Sequence, residues 1–325
     1  MPLPGEIAVE ASSPASPVSA PKKDQFFYGG QAVIEGVMMR GKHHYAVAVR
    51  LPKTKEIVVD RGELKAAIYV NPMWKLPMLR GLALIGEQLH LGMKSLMWSA
   101  NMNAGGNDVV IGKKEITGSV AFAAVFGLGL FLGLPLLLAG LAVHRSNSFL
   151  FVVVEGIIRV GLVLGYLSAI ALLPDVRRVF QYHGAEHKTI AADEAGAPLT
   201  PESIQRFSKE HPRCGTGFLL VVVVVSIFVF ALFGRPPIVW RIVSRIVLVP
   251  VVAALSYELI KFSSVHKSNA LLNLLVVQPS LALQSLTTRE PDAAMIEVAV
   301  AALQRVKAEE MNELKDRAPS PSAGA

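Results

Sequence analysis

Long apolar blocks, joined in pairs by very short polar turns, dominate the chain from 118 to 262. Blocks at 118 to 143, 149 to 173, 217 to 233 and 238 to 262 each reach the roughly 17 to 25 residues needed to cross a hydrocarbon core. The joints from His144 to Ser148 and from Gly234 to Pro237 are so short that each pair of blocks must form an antiparallel hairpin, which puts both joints on one side of the bilayer. They carry Arg145 and Arg235, whereas the 174 to 216 connection carries Arg177, Arg178, Lys188, Arg206, Lys209 and Arg213, and Lys113 and Lys114 precede the first block. Positive charge therefore places both termini and that connection in the cytoplasm. Arg241 and Arg245 lie near the start of the fourth block and Pro250 near its middle. The two arginines are expected to snorkel toward the outer interface. Glu155 and Arg159, four apart in the second block, stand in the favourable order for a helical ion pair and read at least as well as a neutralising structural pair as a functional one. Without matched broken helices or an internal repeat, a transporter is poorly supported. Ala270 to Val277 is too short to span and is expected to be interfacial, re-entrant or packed on the protein.

Outside the blocks the periodicity changes. In 26 to 70, Tyr45, Val47, Val49 and Leu51 alternate, and Glu56 to Asp60 follows after Pro52-Lys53-Thr54-Lys55, which is a hairpin signal. Ahead of it, Gly29 to Gly41 is an apolar run with four glycines, suiting tight turns or close backbone approach. Its only charges, Glu35 and Arg40, read as a surface pair beside a buried strand. The 71 to 117 segment has the pattern of an amphipathic helix or helix pair, with Trp74 and Trp98 near its ends. It either lies at the membrane interface or packs against the small unit. Asp292 to about Leu314, after Pro291, reads as a terminal cytoplasmic helix within 263 to 316. The Pro-, Ser- and Ala-rich ends, 1 to 25 and 317 to 325, are expected to be disordered, and the first lacks the apolar core of a secretory signal. The expected fold is an α-helical polytopic membrane protein with about four transmembrane helices (118 to 173 and 217 to 262) and a small N-terminal cytoplasmic α+β unit.

Composition agrees with this picture. The chain is 52% hydrophobic, with a mean hydropathy of +0.45. Its net charge of +7 comes without any nucleic-acid-binding signature, so membrane topology explains the basicity better. Membrane lipid and cytoplasmic proteins are the expected partners, not nucleic acid. A single cysteine, Cys214, excludes an intrachain disulfide and leaves a thiolate available as a ligand.

The chemistry concentrates in the 174 to 216 connection. Tyr182-His183-Gly184-Ala185-Glu186-His187-Lys188 has the HxxEH order of inverzincins, in which two histidines ligate zinc and the glutamate is the general base. On a helix His183 and His187 share a face, and Glu186 borders them. His211-Pro212-Arg213-Cys214 adds an HxxC pair, and Glu258, near the inner end of the fourth block, reaches the same side, with His266 just beyond it. Three arrangements follow. With His183, His187 and Glu258 as ligands and one position open, a divalent metal such as zinc would acidify bound water, and Glu186 would act as catalytic base of a hydrolase attacking a carbonyl or phosphoryl centre. With His211 and Cys214 completing the shell of His183 and His187, the metal would be structural and closed. Without metal, the two imidazoles would only cap or hydrogen-bond the loop, leaving Glu186 and Lys188 exposed, and Cys214 would be a small buried residue. A non-enzymatic scaffold or assembly factor is the alternative to the hydrolase.

The blocks Gly29 to Gly41, Tyr182 to Lys188, His211-Pro212-Arg213-Cys214-Gly215-Thr216 and Leu286-Thr287-Thr288-Arg289-Glu290-Pro291 together resemble the YqhQ-like family of bacterial membrane proteins, over residues 26 to about 305. The resemblance implies a bacterial cytoplasmic-membrane location and a metal site at the histidine blocks, since the family is described as predicted metal-dependent enzymes. It implies no substrate.

Overall fold

The structure, a computed structural model, describes residues 28–64, 71–105, 113–144, 147–266 and 268–317. The expected tails, apart from Arg317, lie outside the described residues, as do Arg145 and 65–70 of the small unit.

The glycine-punctuated run folds into two strands, β1 (Gly29–Val33) and β2 (Gly36–Arg40), joined through Ile34 and Glu35, with Glu35 at φ 53. The alternating run forms β3 (His44–Arg50) and the following one β4 (Ile57–Glu63), giving an antiparallel sheet in the order β1-β2-β3-β4. Period-2 geometry sends alternate side chains to opposite faces, and here both faces are covered. Val33, Met38, Tyr45, Val47 and Val49 meet Leu91, Trp98 and Met102 of α1 (Leu79–Ala104). Val37, Met39, Ala46 and Ala48 meet Tyr182, Ala185 and Ala192 of α4 (Pro174–Glu194) and Met295 to Val306 of α9 (Ala293–Arg317). The small unit is thus the middle of three layers, and Leu79–Ala104 of the 71 to 117 segment packs on it as one long helix, while 106–112 lie outside the described residues.

Glu35 and Arg40 do not pair with each other. Five residues along an extended strand separate them by about 16 Å, and each holds a different helix. Glu35 takes Arg178 of α4 in a two-pronged contact at 2.5 Å, and Arg40 meets Glu87 of α1 at 2.5 Å.

Among the described residues, four helices are long and apolar enough to cross a membrane: α2 (Thr117–Ala142), α3 (Ser148–Ile170), α7 (Ile238–Val265) and α8 (Ala270–Thr287). The block at 217 to 233 becomes α6 (Thr216–Ala231), which has 16 residues. The 270 to 277 run extends well past its expected end. Gln278, Ser280 and Gln284 interrupt its apolar reading, but Gln284 is buried and bonded to the His211 backbone, and Ser280 abuts Gly217. A π-helical turn at Asn273–Val277 precedes Pro279 and keeps the helix continuous.

Leu136, Ala139, Phe151, Val152, Val229, Phe230 and Val252 form the core of this bundle. Its outer surface is also apolar, with Phe122, Leu141, Phe149 and Leu232 exposed. Glu155 and Arg159 form the expected pair at 2.5 Å. Arg245, expected to snorkel, instead turns inward and is 1% exposed, because Glu155 offers it an acceptor at 3.0 Å. Arg241 stays at the helix start, donating to the Pro236 carbonyl.

Candidate metal centre

The 174 to 216 connection is ordered chain, not an open loop. Pro174 at its first turn and Asp175 beside it suit the start of α4. Its end is a Schellman turn: Gly196 takes φ +67, its N–H bonds the Asp193 carbonyl, and the Ala197 N–H bonds the Ala192 carbonyl. Between these ends His183 and His187 fall on one face, with ring centroids 4.4 Å apart. After the short helix α5 (Pro201–Ile204), residues 205–215 return toward α4.

Each imidazole is aimed by a backbone carbonyl. His183 Nδ1 lies 2.8 Å from the Thr287 carbonyl at the end of α8, and His187 Nδ1 lies 2.5 Å from the Lys209 carbonyl. A carbonyl only accepts, so both Nδ1 atoms carry a hydrogen, and Nε2 is the atom through which each ring would bind a metal. Cys214 Sγ sits 3.3 Å from His183 Nε2, and ligand atoms of His183, His187 and Cys214 all fall within 4.8 Å of one another. Tetrahedral zinc, with Zn–N about 2.0–2.1 Å and Zn–S about 2.3 Å, sets its ligand atoms roughly 3.3–3.6 Å apart. The widest separation among the three donors therefore needs to close by about 1.2–1.5 Å at most. The Thr216 hydroxyl, 3.0 Å from Cys214 Sγ, and the Thr216 N–H, at 3.4 Å, are placed to stabilise a thiolate.

Glu186 borders the cluster, with Oε2 at 3.9 Å from His183 Nε2 and 3.6 Å from His187 Nε2. It lies under β1, where a side chain on Gly30 would strike it at 2.7 Å and where the Gly30 N–H bonds its carboxylate. Burial pushes its carboxyl up to about 8, against the opposing pull of His183. Burial, with His183 beside it, pulls the His187 imidazole down to about 3, so it is neutral and ready to ligate at pH 7. Burial also raises the Cys214 thiol, whose proton an incoming cation must displace.

Two expected ligands lie elsewhere. Glu258 takes Arg80 in a two-pronged ion pair, with Nε at 2.8 Å, and accepts from the Met78 N–H at 3.2 Å. His211 stands beside His187, ring centroids 5.8 Å apart, but its Nε2 turns to Glu194 at 3.6 Å. Its backbone is fixed by Gln284 on both sides, at 2.8 and 2.9 Å, and burial pulls its imidazole down to about 4. Among the described residues, the group of His, Cys, Asp and Glu side chains whose ligand atoms lie close enough to hold a metal ion is His183, His187 and Cys214, and it includes neither Glu258 nor His211. Nor are Glu186 and Lys188 exposed: they are 5% and 4% accessible, and Lys188 Nζ bonds the Gln205 carbonyl and the Glu290 carboxylate.

Sequence reasoning missed the residues that act through their backbones, Thr287, Lys209 and Gly30, because any residue type offers a carbonyl or N–H. Gly184 had a signal in its place inside the motif. A Cβ there would lie 2.1 Å from the Arg289 carbonyl, so α4 can approach the 287–291 turn only with glycine at this position. Gly184→Ala is expected to destabilise the fold by about 1–3 kcal/mol through overpacking and to shift the Thr287 carbonyl off His183. Thermal unfolding followed by intrinsic fluorescence checks the first effect, and metal retention the second.

The chain is 35% identical over 292 residues to uncharacterised protein YqhQ of Bacillus subtilis (strain 168), an alignment covering 84% of this chain and 90% of that protein. No solved structure matches it. Residues 76–309 match the pattern of a protein family of unknown function, DUF1385. With most of its length inside that match, the chain belongs to the DUF1385 family.

Proposed function

We propose that this is a multi-span membrane protein that holds a divalent cation of the zinc type through His183, His187 and Cys214, at the junction of its apolar bundle and its three-layer unit. The observation that carries this reading is the pair of Nδ1–carbonyl bonds, which turns both Nε2 atoms toward one thiol. Outer-sphere bonds of this kind orient the ligands of metal sites. Support for the membrane comes from the lipid-like outer face of the bundle, whose exposed phenylalanines and leucines would be very costly in water.

Two imidazoles and one thiolate leave a fourth position for water or substrate, the ligand count of catalytic zinc sites. Glu186 stands next to that position, and proximity to a divalent charge favours its ionised form, as a general base requires. We therefore read the site as a metal-dependent hydrolase. A structural site is the second reading, favoured by the burial of Glu186 and by the way the three ligands tie α4 to the start of α6.

Metal content decides the first step. Purified full-length protein, reconstituted with zinc and desalted, is expected to keep about one ion per chain, and the His183→Ala, His187→Ala double variant essentially none. Equal contents in the two proteins would overturn the proposal. Glu186→Gln then separates the readings: it is expected to retain the ion and lose cellular function if the site hydrolyses a substrate, and to retain both if the ion is a staple.

A further inference from the structure

A second charged cluster lies inside the bundle, far along the sequence from the metal ligands. Glu155 and Arg159 of α3 and Arg245 of α7 are 1%, 3% and 1% exposed. One carboxylate serves both guanidinium groups. Arg159 Nη2 lies 2.5 Å from Glu155 Oε1, and Arg245 reaches Oε2 through Nη2 at 3.0 Å and Oε1 through Nε at 3.3 Å. Arg159 directs its other N–H groups to the Phe131 carbonyl, in a π-helical turn of α2, and to the Ser226 hydroxyl of α6. Arg245 Nη1 has no acceptor.

The charge does not balance. Two fixed cations face one anion, and arginine does not release its proton, so the cluster keeps a surplus positive charge in an apolar bundle. Such a charge costs several kcal/mol unless something neutralises it. The Phe230 ring lies against both, at 5.2 Å from the guanidinium of Arg159 and 4.3 Å from that of Arg245. The arrangement repeats at the short-joint end, where Arg235 and Arg241 lie 4.2 and 4.9 Å from the Phe151 ring. Arg241 and Arg245 are one turn apart on α7, and Arg245 sits seven residues, about 10 Å, below the helix start. A column of four arginines therefore leads inward from that end to Glu155, which Arg159 and Arg245 share.

We propose that this column binds a phosphate monoanion, entering from the short-joint end and taking Arg245 Nη1 as its innermost donor. The phosphodiester of an anionic phospholipid is its natural source, because the mouth of the column stands at the end of the spans, where headgroups lie. Planar guanidinium groups match phosphate oxygens better than any other side chain does. This inference is independent of the metal and rests only on the bundle standing in lipid.

Full-length protein in a non-ionic detergent, titrated with phosphatidylglycerol, phosphatidylcholine or inorganic phosphate, provides the test. Binding is read by native mass spectrometry and by the shift of Tm. Phosphatidylglycerol is expected to bind and raise Tm, phosphatidylcholine to do neither, and Arg245→Gln to weaken phosphatidylglycerol about tenfold or more, the loss of one charge-assisted hydrogen bond. That variant leaves the neutral Glu155–Arg159 pair. Should it fail to fold, Arg241→Gln at the mouth is expected to weaken the same lipid. Inorganic phosphate binding in place of the lipid, with the same loss in Arg245→Gln, would keep the site and assign it to the free ion. Equal response to the two lipids, or wild-type affinity in both variants, overturns the proposal.

Discussion

Replacing Cys214 with alanine is expected to weaken zinc binding by about two to four orders of magnitude, while Glu258→Gln leaves it unchanged. A protein zinc site of this kind is worth roughly 10–16 kcal/mol, so one ligand of three carries on the order of 3–5. On the proposed ligand set Cys214 would carry more than an equal share of the electrostatics, because once deprotonated it would be the negative donor beside two imidazoles. Its surroundings suit a deprotonated sulfur: the Thr216 hydroxyl and N–H lie 3.0 and 3.4 Å from Sγ, and His183 Nε2 lies 3.3 Å away. Glu258 is the informative control, since it was a plausible ligand by depth in the membrane yet its carboxylate is held by Arg80. His211→Asn tests the other excluded ligand, and affinity within about threefold of wild type is expected. Competition against a chromogenic chelator reads all three. Wild-type affinity in Cys214→Ala would remove the thiol from the ligand set and leave a pair of histidines, too few for a site of this strength.

How far these ligands could be read from the sequence depended on whether their partners were local. His183, Glu186 and His187 share a helical face by periodicity alone, and α4 is the helix that the spacing required. His211 and Cys214 are equally close in sequence, yet the Cys214 N–H bonds the His211 carbonyl in a tight turn, and the two side chains diverge. That turn, pinned by Gln284 from 73 residues away, is what separates ligand from neighbour. Glu258 was lost to Arg80, 178 residues distant, and nothing near either residue announces the pair. The alternation in Tyr45, Val47 and Val49 predicted a strand correctly, but the intervening Ala46 and Ala48 already hinted at a second apolar face, which α4 and α9 cover. Residues 270 to 287 exposed the limit of counting apolar residues: a helix that buries Gln284 against another backbone can be long without being uniformly apolar.

Within the bundle the largest loss of stability is expected from Glu155→Leu, which should cost about 3–5 kcal/mol. The asymmetry of buried ion pairs makes the sign secure. Forming the cluster gains little over apolar packing, because desolvating three charges offsets most of their attraction, but removing the carboxylate that both share leaves two neighbouring guanidinium groups without it. Arg159 would keep the Phe131 carbonyl and Ser226 hydroxyl, whereas Arg245 would lose every acceptor that holds it inward. Arg245→Leu should cost less than Glu155→Leu, since it leaves a balanced pair. The triple variant Glu155→Leu, Arg159→Leu, Arg245→Leu should recover most of the stability lost in the single Glu155 variant, because apolar side chains of similar volume replace the whole network. The fraction remaining monodisperse after heating in detergent orders the four proteins. A triple variant no more stable than Glu155→Leu would show that the charges do more than neutralise one another, and an unperturbed Glu155→Leu would mean that Arg159 and Arg245 already find their anion elsewhere.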